Sequence, residues 1–112
     1  MAAVLAAIFL ASCGTGTGLS AKATEGQRLT QDLGCTSCHS GQSGVGPNWE
    51  NAWGTNRDLT DGSTEVFDSG YVRSSLSDPS AQVVAGYQAI MPAFSLSEAQ
   101  VEAIIAFLEE AN

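Results

Sequence analysis

Apolar residues follow three rhythms along this chain. Residues 2–11, Ala-Ala-Val-Leu-Ala-Ala-Ile-Phe-Leu-Ala, are wholly apolar. Ten such residues are too few to span a bilayer as a helix, but they fit the apolar core of a secretory signal. Residues 14–23 are mostly Gly, Thr, Ser and Ala, a composition that reads as a flexible tether. From Thr24 the spacing becomes helical. Thr24-Glu25-Gly26-Gln27 has a capping-box pattern with Thr24 as N-cap. Leu29 and Leu33 share a face, and Gly34 is placed to stop the helix. Gly26 lowers helix propensity in the first turn, which makes sense if another helix crosses there. A further helix is predicted from Gly70 through Leu76, capped by Asp68 or Ser69 and ending before Asp78-Pro79. The clearest helix begins after Ser97. Ser97 and Gln100 form a second capping box, Leu96 and Val101 a hydrophobic staple. Val101, Ile104, Ile105 and Leu108 then keep the i, i+3, i+4, i+7 spacing.

The stretches between these helices are irregular. Trp49 and Trp53 lie four apart, as helical neighbours do. Asp61-Gly62 is a favoured two-residue turn, so a short β-hairpin or loop excursion is expected near residues 57–67. The apolar run Val83-Val84-Ala85-Gly86-Tyr87 precedes Ile90-Met91-Pro92-Ala93-Phe94, where proline stiffens the backbone.

Charge narrows the possible partners. Twelve Asp plus Glu stand against four Lys plus Arg, a formal net charge of −8. No basic footprint for nucleic acid is present. The acidity serves solubility, or docking onto a basic patch of a partner. Glu109 and Glu110 oppose the dipole at the end of the last helix, and nothing local accounts for them.

The decisive chemistry is Cys35-Thr36-Ser37-Cys38-His39. C-x-x-C-H is the pattern of covalent haem c attachment. Each thiol adds across one haem vinyl group, and two intervening residues let both sulfurs reach the same porphyrin edge. The following imidazole then sits under the ring as proximal iron ligand. Zinc would need four ligands, and beyond this cluster the chain offers no second histidine and one further cysteine, Cys13. A thiol redox motif would want a surrounding βαβ pattern, and none is visible.

Other residues follow from that assignment. A ligating histidine needs an acceptor for its second nitrogen. Pro47 has a carbonyl and no N–H, so it is the candidate, with a plain turn as its alternative role. Met91 is the only methionine besides Met1. A thioether is soft, and with no second histidine available it is the expected sixth ligand. Trp49 and Trp53 pack in the core, meet the haem edge or reach a propionate through the indole N–H. Arg57 and Arg73 are scarce cations that neutralise a propionate or form surface ion pairs.

Leu10-Ala11-Ser12-Cys13 resembles the lipobox of bacterial lipoproteins. In that family the signal is cut before the cysteine, which is then lipidated. Lipidation would explain the leftover thiol, and two or more acyl chains make a stable anchor. The resulting organisation is a signal over 1–12, a lipidated Cys13 and tether over 13–23, and one domain over 24–112. The expected location is the bacterial cell envelope, on the periplasmic or outer face of a membrane.

Residues 24–110 resemble class I cytochrome c. Gly26, Cys35-Cys38-His39, Gly46-Pro47, Met91-Pro92 and Phe107 carry the resemblance. It implies an all-α fold, a small helical wrap around one haem, with terminal helices crossing where Gly26 meets an aromatic, here Phe107. A narrower resemblance rests on Asp61-Gly62-Ser63, Asp68-x-x-Tyr71-x-x-Ser74, Pro79, Gly86-Tyr87 and Met91-Pro92-Ala93-Phe94. These look like the cytochrome c domain of caa3-type oxidase subunit II and the lipid-anchored monohaem cytochrome of alternative complex III. Thr30 departs from a common aromatic, and Trp49 from a usual leucine. No copper-binding domain accompanies the motif. The cofactor-binding candidates are thus Cys35, Cys38, His39, Pro47, Trp49, Trp53, Arg57, Tyr87 and Met91, with His39 and Met91 on the iron. The implied function is a one-electron carrier, not an enzyme. Its partners would be a quinol-oxidising complex, a terminal oxidase or both, in a respiratory or photosynthetic chain, and the bilayer through Cys13. The alternative is a haem sensor or enzyme with an open sixth site.

Overall fold

The computed structural model describes residues 18–41 and 43–112. The signal and lipobox residues, Cys13 included, lie outside them. Among the described residues the domain has four α-helices, one 3₁₀ turn (Pro79–Ala81) and one short hairpin: α1 (Ala21–Asp32), α2 (Cys35–His39), β1 (Asn56–Asp58), β2 (Thr64–Val66), α3 (Ser69–Ser77) and α4 (Glu98–Glu110). The fold is mostly helical, as expected.

Helix α1 starts earlier than its sequence pattern indicated. Ser20, not Thr24, is the N-cap, and its hydroxyl accepts from the Ala23 N–H. The helix therefore begins inside the stretch whose composition reads as tether. The reason is tertiary. Ser20 donates from its N–H (2.9 Å) and its hydroxyl (2.7 Å) to the Glu110 carboxylate at the far end of α4. These bonds, the backbone N–H first, hold the Glu110 carboxyl below the usual carboxylate range. They also give Glu110 the role that its own helix denied it. Gly34 ends α1 in the left-handed conformation at φ 77°, which a glycine adopts without steric cost.

Helices α1 and α4 cross with almost no space between them. A Cβ on Gly26 would lie inside the Ala103 carbonyl and 2.9 Å from the Phe107 Cβ. The contact expected with Phe107 is present, but the tighter neighbour is the Ala103 backbone. Beneath the crossing, Leu29 of α1 joins Ala103, Ile104, Ile105 and Leu108 of α4, with Tyr71, Val72 and Leu76 of α3. Val101 is only partly buried.

The hairpin forms in the register Asn56↔Val66, Arg57↔Glu65, Asp58↔Thr64. Its turn is longer than two residues. Leu59 N–H bonds to Ser63 O, Gly62 N–H bonds to Leu59 O, and Gly62 takes φ 86°. Thr60, Asp61 and Gly62 thus form a three-residue loop whose last residue is left-handed. Asp68 caps α3 by accepting from the Tyr71 N–H at 3.0 Å. The capping box at Ser97 is complete. Trp49 and Trp53 lie in a turn and not on a helix. Asn112 secures that turn, since its Oδ1 accepts from the Ala52 N–H at 2.9 Å while its amide donates to Leu108 O of α4.

The segment carrying Met91 has no regular structure of its own. It is pinned at both ends. Upstream, Thr60 N–H bonds to Val83 O and Ala85 N–H to Asp58 O, each at 2.8 Å. Downstream, Phe94 N–H bonds to Leu76 O of α3 at 2.8 Å.

Candidate functional site

The short helix α2 delivers Cys35, Cys38 and His39 to one side of a largely apolar cavity, which Met91 and Tyr87 line as well. Both thiols are free and half-buried. Burial pushes the Cys35 thiol up. After His39 the chain folds straight back. Gly46 N–H bonds to Cys38 O at 2.9 Å, and the Ser43 hydroxyl donates to the same oxygen. This return leaves Pro47 O 2.8 Å from His39 Nδ1. The hydrogen bond requires the proton on Nδ1, which leaves Nε2 with a free lone pair. Burial holds the imidazole below the usual histidine range, against the pull of Pro47 O, and the Arg57 charge adds to the effect. The neutral form is the one that binds a metal.

Trp49 lies flat on His39, with centroids 4.9 Å apart and planes 9° from parallel. Trp53, its partner in the sequence pattern, does not line the cavity. It packs edge-on against Phe67, 5.9 Å away, and so belongs to the core beside the site. The turn that holds the two indoles is not helical, so a spacing of four did not place them on one face.

The arginines part company in the same way. Arg73 pairs with Glu98 at 2.8 Å and with Glu102, which leaves it a surface ion pair. Arg57 lines the cavity. Its Nη2 donates to Asn48 O at 2.7 Å, its guanidinium lies over the Phe67 ring at 5.3 Å, and its Nε is buried with no acceptor. Among the described residues no carboxylate pairs with Arg57. A buried charged donor left unpaired costs about 1–3 kcal/mol or more. An acidic group of a bound cofactor would relieve that cost.

Thr30, noted in the sequence only as a departure from a common aromatic, and Gln82, which was not among the candidates, also line the cavity. Thr30, 1% exposed, returns its hydroxyl to Gln27 O at 2.7 Å and makes no polar demand on the cavity. Gln82 lines the cavity with its Oε1 buried and unpartnered. A polar residue directly before the apolar run Val83-Val84 was the available signal.

Among the described residues no group of three or more His, Cys, Asp or Glu side chains is placed to hold a metal ion. The two thiols, the imidazole and the orphaned guanidinium N–H suit instead a large apolar cofactor that bears its own metal and acidic groups. That donor set defines a covalent haem-binding domain. The chain belongs to the cytochrome c family, whose sequence model matches residues 23–112. Comparison with curated proteins gave no match. The cofactor is accordingly haem c, attached through Cys35 and Cys38, and the domain is a haem-based electron carrier. Bound there, haem c supplies a one-electron ferric/ferrous couple. The chain orients His39 through Pro47 and offers Arg57 as a charged donor.

Proposed function

We propose that this protein is a membrane-anchored one-electron carrier whose haem c iron is held by His39 and Met91. The observation that carries this reading is that His39 and Met91, the only histidine and the only methionine of the domain, line one cavity with both attachment cysteines. A thioether opposite an imidazole closes the iron to substrate and raises its potential. Arg57 pairs with a propionate through its unpartnered Nε. Cys13 carries the lipid, and residues 14–19 tether the domain above the membrane. The middle motifs favour service beside a quinol-oxidising complex or a terminal oxidase, as a shuttle or as a bound cytochrome subunit. Val45 and Ile90 line the cavity yet are 41% and 59% exposed, so its mouth is apolar and suits close approach of a redox partner.

Ferric wild-type protein is expected to be low-spin and to show the weak near-infrared sulfur-to-iron band. Rapid, complete carbon monoxide binding by the ferrous wild type would sink the His/Met reading in favour of an open-site sensor or enzyme. The anchor is tested separately. Cells given a labelled fatty acid should label the wild type and leave Cys13→Ala unlabelled and released from membranes. An unlabelled, soluble wild type would remove the lipid anchor and leave the carrier.

A further inference from the structure

Three contacts hold the His39 imidazole. Its Nδ1 is bonded to Pro47 O at 2.8 Å. Its Cε1 edge lies so close to Gly46 that a Cβ there would stand 3.1 Å away. One of its faces is covered by the parallel indole of Trp49 at 4.9 Å. The first two contacts come from the loop that follows His39. The third reaches into the core, because Trp49 is itself seated edge-on against Phe107 of α4, at 6.4 Å and 89°. Phe107 in turn is the residue whose Cβ meets Gly26 where α1 and α4 cross. A continuous series of packed groups thus runs from the helix crossing to the imidazole.

We propose that Trp49 is a positioning residue that makes the orientation and charge environment of the His39 imidazole depend on the α1–α4 crossing, through Phe107. The inference rests on His39 being an iron ligand. A flat aromatic in face contact restricts tilt of the imidazole, which a single hydrogen bond leaves free. The indole face also carries a negative quadrupole, so it favours the more positive oxidised state of whatever it covers. Trp49 should therefore stabilise the ferric form relative to the ferrous form.

The test uses the holoprotein with its haem attached. Hyperfine-shifted imidazole proton resonances of the ferric state report ring orientation, and the reduction potential reports charge. Trp49→Leu keeps the site apolar and removes the ring face. It should shift those resonances and raise the potential, while Trp49→Phe, which retains a ring, should shift both less. Phe107→Leu keeps the Cβ against Gly26 and removes the edge contact with Trp49. It should move the resonances in the wild-type background and at least several-fold less in the Trp49→Leu background. Phe107→Met replaces it if the leucine variant does not fold. The proposal is overturned if Trp49→Leu leaves resonances and potential unchanged, or if the Phe107 variant shifts them equally in both backgrounds. Failure of His39 ligation itself is separately visible, as the absence of those imidazole resonances from the wild type, and would take the proposal with it.

Discussion

Met91→Ala is expected to turn a haem that ignores carbon monoxide into one that binds it completely. Met1 belongs to the expected signal, and no second histidine exists. Lys22 lies on the exposed surface of α1 and would have to lose its proton to compete. Under the proposed His39 and Met91 ligation, alanine would leave the iron with one protein ligand. The near-infrared band should vanish, the reduction potential should fall, and cyanide should bind the ferric form. Met91→His should stay low-spin at a lower potential, since imidazole favours the ferric state more than a thioether does. The fold should tolerate either change, because hydrogen bonds at Val83, Ala85 and Phe94 hold the Met91 segment by its backbone on both sides. The measurements are optical spectra with and without carbon monoxide and a redox titration. A Met91→Ala protein that retains the near-infrared band would show that sulfur ligation does not come from Met91.

Gly26→Ala should cause the largest loss of stability from the smallest change in the chain. In isolation alanine would favour α1 by about 1 kcal/mol over glycine. In the fold its methyl would occupy the place of the Ala103 carbonyl and stand 2.9 Å from the Phe107 Cβ. These neighbours are backbone atoms and a Cβ, so no flexible side-chain end can swing aside. The helices must separate, which loosens Leu29 from Ile104 and Leu108. Overpacking of this kind costs roughly 1–3 kcal/mol and occasionally more, and backbone overlap puts this site at the upper end. The net loss is expected to be about 2 kcal/mol or greater after the propensity gain. Denaturant unfolding of the holoprotein measures it. An alanine variant as stable as the wild type would mean that the helices do not cross at this separation in solution.

The Ser20–Glu110 contact shows where local signals stop. A capping-box pattern at Thr24 was real in the sequence, yet the helix starts at Ser20. The deciding partner lies ninety residues away. The same applies to the two tryptophans. Spacing alone made them equivalent, whereas the turn they occupy sends Trp49 to His39 and Trp53 to Phe67. Arg57 and Arg73 were equally equivalent as scarce cations. Their fates diverge because β1 turns Arg57 toward the cavity while α3 sets Arg73 beside the first turn of α4.

The chemistry and the helical frame were legible in the order of the amino acids. C-x-x-C-H carries its meaning in a five-residue spacing. Asp68 and Ser97 cap their helices through side chains that reach only three residues along the backbone. Such short-range geometry is independent of the rest of the fold. The tertiary structure alone decided how the site is walled and tuned. It brought Met91 to the His39 cavity, left Arg57 Nε without a partner, and stacked Trp49 between the imidazole and α4. The physical reason is that the cavity is lined from segments far apart in sequence, and their meeting depends on one close helix crossing and on backbone hydrogen bonds between irregular loops. Neither leaves a periodic trace in the pattern of apolar residues.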